Sequence, residues 1–124
     1  MARGITNNGI GALYATFSIH QTDDEYDLSS EDLGKAVALS GNNEVSLGSA
    51  GGLLLGRLVH AQEGIATVQI GGVVRLSAVT AVPAVGDEVV VNGSGAVKKV
   101  GTGEPGRGIV LAVDTGEATC DVLL

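Results

Sequence analysis

The residues with the plainest chemical potential lie near the end of the chain, where Asp114-Thr115-Gly116 sits inside VLAVDTGEATCDVLL (110–124). An Asp-Thr-Gly after apolar residues is how aspartic proteases present a catalytic carboxylate, and that chemistry needs two such carboxylates sharing one proton. The chain holds one copy, so the second would have to come from a dimer partner. Such a protease also places a flap hairpin and an apolar-apolar-Gly segment after the loop, whereas residues 117–124 are expected to supply one strand only. Asp and Gly are also standard turn formers. Asp114–Glu117 is therefore expected to be a hairpin turn joining GRGIVLAV (106–113) to ATCDVLL (118–124).

The other reactive side chains form no pattern that a reaction or a metal requires. His20 and His60 lie near no Ser or Cys nucleophile motif, and geometry, rather than mere presence, makes a general base. Cys120 is the only cysteine, which excludes an intrachain disulfide, and with two histidines it cannot build a Cys/His cluster. Among apolar neighbours it is expected to act as a small hydrophobe in a terminal strand. GSAGGLLLG (48–56) lacks the Gly-Lys-Ser/Thr ending of a phosphate-binding loop, and no helical pattern follows it. In GTGEPGRG (101–108) the Pro105-Gly106 step marks a turn, with Glu104 and Arg107 expected in solvent. AVKKV (96–100) has the lysines of a biotin- or lipoate-carrying hairpin, but Gly93-Ser94-Gly95 makes the tip and Lys98-Lys99 fall down the strand. No catalytic residue, cofactor or metal is expected, and the chain reads as a non-enzyme.

Composition narrows the partners. The 124 residues carry a net charge of −7, with a pI of about 4.5. The seven basic residues are scattered, which disfavours phosphate-backbone binding, so no nucleic acid partner is expected. No run approaches the roughly 20 apolar residues that span a bilayer as a helix, so no membrane partner is expected either. GGLLLGRLV (51–59) is interrupted by Arg57, and IGALYATFSI (10–19) is diluted by Thr16 and Ser18 with no clear cleavage site after it, so synthesis in the cytosol is expected. The hydrophobic fraction of 44% argues for a folded domain. With one phenylalanine, two tyrosines and no tryptophan, its core must be built from Val, Leu, Ile and Ala.

The elements that must position these residues fall into two parts, 1–33 and 34–124. Only Gly4, Gly9 and Gly11 precede residue 34, and the other glycines run from Gly34 to Gly116. All the aromatics, Tyr14, Phe17 and Tyr26, lie in the first part, with Asp23, Asp24, Glu25, Asp27, Glu31 and Asp32. From Lys35 onward short apolar runs alternate with turns: KAVALS, EVSL, LLLGRLVH, GIATVQI, VVRLS, DEVVVN, AVKKV, GRGIVLAV and EATCDVLL. Such spacing predicts a small all-β barrel or sandwich. Gly71-Gly72 between GIATVQI and VVRLS matches a two-residue hairpin turn. Near 29–33 either a plain loop or one short helical turn is expected, the turn having Ser29 as N-cap, Glu31 and Asp32 in its first turn and Gly34 as its stop.

Residues 1–33 are expected to form an extended N-terminal arm and linker, because Asn7, Asn8, Gly9 and Gly11 favour an unanchored chain. Two readings of its aromatics stay open. They are reserved for a partner, where aromatics make binding hot spots, or they pack onto the chain's own barrel and seal one end. On the first reading the contact residues are Ile10, Leu13, Tyr14, Phe17, Ile19 and Tyr26.

The order of elements over 33–124 resembles one known family. Leu55-Gly56-Arg57-Leu58-Val59, Gly64 with Val68, Gly72-Val73-Val74-Arg75-Leu76, Val85-Gly86-Asp87-Glu88-Val89 and Gly108-Ile109-Val110-Leu111-Ala112 follow one another as in the capsid decoration, or cement, proteins of tailed bacteriophages. Each element is mostly glycine and aliphatic residues, low in specificity, and the order carries the likeness. The resemblance implies a β-tulip-like barrel and a homotrimer. It implies a virion position on the outer face of the expanded capsid, reached from the host cytoplasm during assembly, where the protein bridges major capsid protein subunits. Another phage structural role, at a head-fibre base or in a tail, fits the same composition, and a carrier domain or enzyme fits it less well.

Overall fold

The computed structural model describes residues 7–79 and 81–124. The chain begins with β1 (Leu13–Ile19), a small hairpin of β2 (Gln21–Thr22) and β3 (Glu25–Tyr26), and one 3-10 turn at Ser30–Asp32. β4 (Ala36–Gly41) and β5 (Glu44–Ser46) form a hairpin, as do β6 (Gly56–Gln62) and β7 (Ile65–Gly71). β8 (Val73–Ser77), β9 (Val89–Val91), β10 (Val97–Lys99), β11 (Ile109–Asp114) and β12 (Thr119–Leu123) complete the order. The protein is all-β, in agreement with the short-strand pattern.

β1, β5, β4, β6 and β7 close in that order into a barrel. Its pairings are antiparallel except β1 against β5, which run parallel through Ser18↔Glu44 and Ile19↔Val45. Beside it lie the sheet β11-β12-β8 and the hairpin β9–β10, with Val89 bridged to Arg107 just ahead of β11.

Side-chain alternation divides the apolar residues between two cores. Ile19, Leu28, Val37, Val45, Leu58, Ala66 and Val68 fill one, while Leu54, Val74, Leu76, Val89, Val97, Val110, Cys120 and Val122 belong to the other. β4 serves both, since Val37 belongs to the first core and its neighbours Ala36 and Ala38 to the second. This is why KAVALS starts with an unbroken apolar run: a strand covered on both faces has no solvent side to mark with polar residues.

The division expected at residue 34 does not describe the fold. The stretch read as an extended arm supplies β1, which pairs with β7 from Leu13↔Gly71 to Ser18↔Ile65. Ahead of it, the Gly9 amide donates to the Val73 carbonyl at 2.8 Å and the Val73 amide to the Ile10 carbonyl at 2.9 Å. The physical reason is a period-2 set, Ala15, Phe17 and Ile19, that one face of a strand delivers to a barrel needing closure.

Gly71-Gly72 is likewise not a hairpin turn, because β7 pairs with β1 and β6 while β8 pairs with β12. Gly72 instead carries the chain from barrel to sheet at φ +80, and a Cβ there would lie 2.4 Å from the Ile10 carbonyl oxygen. Only glycine lets the 9–12 segment pass so close.

The helical turn near 29–33 forms with Ser29 as its cap. Its hydroxyl accepts from the Glu31 amide at 3.3 Å, and Asp32 Oδ2 accepts from the Ser29 amide at 2.8 Å. Asp114–Glu117 forms the expected turn between β11 and β12, where Asp114 Oδ1 accepts from the Glu117 amide at 3.1 Å.

Candidate partner-binding surface

The sequence-derived contact residues separate into two groups. Ile10 and Tyr14 are 60% and 54% exposed, and Leu13 and Tyr26 are also open to solvent. Phe17 is half-buried against the barrel core and Ile19 is only 4% exposed inside it. Ile19 therefore belongs to the core rather than to a contact surface, and Phe17 packs against that core. Both occupy the inward set of β1.

The exposed members join residues that sequence reasoning missed. Ile109, Leu123 and Val73 are direct partners across β11, β12 and β8, so their side chains share one face of the sheet. Ile109 and Leu123 are exposed. The Gly9–Ile10 segment bonds onto Val73, and Leu13 pairs with Gly71 one turn of chain away. An apolar band thus runs from β11 through β12 and β8 to the start of β1. Past the buried Val110–Val122–Val74 rung, the following rung toward the Asp114 turn carries Asp121 between Ala112 and Arg75. An exposed apolar centre beside a polar rung is the composition of a protein contact surface. No local signal marks Ile109 and Leu123 for this role, since their adjacency to Ile10 is made by pairing alone.

Tyr26 lies elsewhere, on the β2–β3 hairpin. A Cβ at Gly64 would lie 2.5 Å from its ring, so the bare backbone of the β6–β7 turn is the seat of the aromatic. Asp23 and Asp24 form the tip of that hairpin at φ 53 and 65, the left-handed pair that a two-residue primed turn requires. His20 Nδ1 meets Glu44 Oε1 at 2.9 Å, and the Ser40 hydroxyl donates to the same oxygen at 2.9 Å. Those bonds hold the Glu44 carboxyl below its ordinary value.

Elsewhere the reactive types are engaged in structure. Cys120 is buried in the second core, and burial pushes its thiol up to about 11. Arg107, expected in solvent, is half-buried, with Nη1 donating to the Leu54 and Leu55 carbonyls and Nη2 to that of Ile70 at 2.7 Å. Burial lowers its pKa, and the three carbonyls satisfy it in place of a carboxylate. Among the described residues no group of His, Cys, Asp and Glu is arranged to hold a metal ion. No protein-family model matches the chain, and no curated protein matches it significantly.

Proposed function

We propose that this chain is a structural virion protein that decorates the outside of a tailed-phage capsid and stabilises the expanded head by bridging major capsid protein subunits. The observation that carries the reading is the apolar band from Ile109 and Leu123 on the β11-β12-β8 sheet to Ile10 and Leu13 at the start of β1, with Tyr14 exposed beside Leu13 in sequence. The order of glycine-and-aliphatic elements over 33–124, which resembles the cement proteins, supports it from the sequence side. Such a role asks for a rigid scaffold and repeated weak contacts, which gain by multivalency over a lattice. Assembly as a homotrimer belongs to the same reading, since burial between subunits supplements a core poor in aromatics. The test is co-sedimentation of the purified protein with expanded heads that lack their decoration protein. Binding, with a rise in the heads' resistance to heat or chelators, is the expected result. Heads that neither retain the protein nor gain resistance would sink the reading.

A further inference from the structure

A groove of about 770 Å³ lies at the far end of the barrel from the apolar band, between the β2–β3 hairpin, the 3-10 turn and the β6–β7 turn. Its inner wall is apolar, made by the buried Leu28 and Ala61, and Tyr26 and Leu33 line it with large exposed apolar side chains. Its rim is acidic, from Asp24, Glu25 and Glu63. With Asp23, Asp27 and Glu31 close by in sequence, these carboxylates are all exposed, and none pairs with a described cation. The nearby Lys35 is taken by Asp32 at 2.7 Å. Three exposed carboxylates, Asp24, Glu25 and Glu63, thus line one apolar groove.

We infer that this groove docks a protein segment in which lysine or arginine flanks an apolar side chain. The apolar residue enters against Leu28 and Tyr26, and its basic neighbours meet Asp24, Glu25 and Glu63 on the rim. Charge complementarity selects the class of occupant. Nucleic acid and anionic membranes are repelled by an uncompensated cluster of carboxylates, and the same acidic end of a second copy is repelled for the same reason. The walls of the groove are fixed by contacts within the chain. Tyr26 is seated on Gly64, the Asp27 amide donates to the His20 carbonyl at 2.8 Å, and Ser29 and Asp32 cap the turn on the other side.

The groove lies at the Ile65 end of β7 and the apolar band at its Gly71 end, so about 20 Å of strand separates them. On this inference the protein carries two contact surfaces, one toward each end of β7. Only the identity of the partner, a basic segment of a capsid subunit, rests on the capsid reading. The chemistry of the groove stands without it.

The test uses the full chain and a short peptide of alternating lysine and leucine, followed by NMR. The peptide is expected to shift the signals of Tyr26, Leu28, Leu33 and Ala61, while a glutamate–leucine peptide of the same length leaves them in place. Glu25→Lys with Glu63→Lys, both at exposed positions, is expected to weaken lysine–leucine binding at least tenfold while the fold's spectrum is retained. Tyr26→Ala is the second variant and is expected to weaken it through the apolar contact alone. Equal response to both peptides, shifts confined to other surfaces, or unchanged binding by the charge-reversed variant would each overturn the inference. Failure to bind heads while the peptide result holds would instead remove the capsid reading and leave the groove.

Discussion

Arg75 and Asp121 face each other directly across β8 and β12, and the guanidinium closes on the carboxylate with two bonds, Nε to Oδ1 at 2.8 Å and Nη2 to Oδ2 at 3.1 Å. The pair is unequal, because the arginine side chain is 47% exposed and the aspartate 9%. Asp121 raises the pKa of Arg75 through that bond and its charge. Removing the arginine strands a buried carboxylate, whereas removing the carboxylate leaves a cation that water can reach. We expect Arg75→Leu to cost about 2–3 kcal/mol and Asp121→Asn about 1 kcal/mol in urea unfolding. The reverse order would mean that the aspartate is hydrated in solution.

Arg107 ties the segment ahead of β11 to the barrel side of the molecule. Its donors reach the carbonyls of Leu54 and Leu55 ahead of β6 and of Ile70 in β7. A lysine offers a point charge and cannot fork over carbonyls spread across two chain segments. Arg107→Ala is expected to destabilise by about 2–4 kcal/mol, with Arg107→Lys recovering less than half of that. Thermal unfolding measures the loss, and amide hydrogen exchange over 53–57 should quicken in both variants. Unchanged exchange there would show that the clasp does not hold the segment.

Deleting residues 2–27 tests whether the first part of the chain is separable. A free arm could be removed and leave a folded β-domain. β1, however, is the strand that closes β5 to β7, so the truncated chain is expected to lose cooperative unfolding and the dispersed NMR spectrum of a packed core. Single substitutions sharpen the point. Ile19→Ala should cost about 2–4 kcal/mol, while Leu13→Ala, at an exposed position on the same strand, should fall within about 0.5 kcal/mol. A well-folded truncation would restore the separable arm.

Acid sensitivity should trace in part to Asp32. Burial pushes its carboxyl up, but hydrogen bonds from Lys35 and Ser29 and the lysine's charge outweigh that and hold it below 3.8. A carboxyl depressed by folding contributes stability at pH above its unfolded value, and that contribution fades as pH falls through the folded value. Wild type should therefore exceed Asp32→Asn in stability at neutral pH, with the gap closing only as pH drops below 3.8. A gap that stays constant down to acid unfolding would show that the charge is not the source. Chemical denaturation at stepped pH measures it.

Several local features were legible before any tertiary contact was known. The Asp114–Glu117 turn, the Ser29 cap, the Gly93-Ser94-Gly95 tip and the burial of Cys120 each depend on a few neighbouring residues whose conformational preferences act at short range. The short-strand pattern of an all-β protein was equally plain. What went astray was non-local. Asn7, Asn8, Gly9 and Gly11 read as a loose arm because nothing beside them reveals Val73, and Arg107 read as solvated because its carbonyl partners come from residues 54, 55 and 70.

The candidate surface divides in the same way. Ile10, Leu13 and Tyr14 were visible as apolar residues without an assigned core, but Phe17 and Ile19 shared that description and went inside. Alternation along β1 allows either face to turn inward, and only pairing with β7 in one register chooses. Ile109 and Leu123 joined the surface through strand pairing that no spacing encodes. The sequence by itself thus determined the all-β character, the strands after residue 34, turns such as Asp114–Glu117 and the net charge, because these follow from each residue's own preferences and its nearest neighbours. Tertiary structure alone decided which strand closes the barrel, which face is buried and where charge and apolar surface meet, because register is set by the summed burial of residues far apart in the chain.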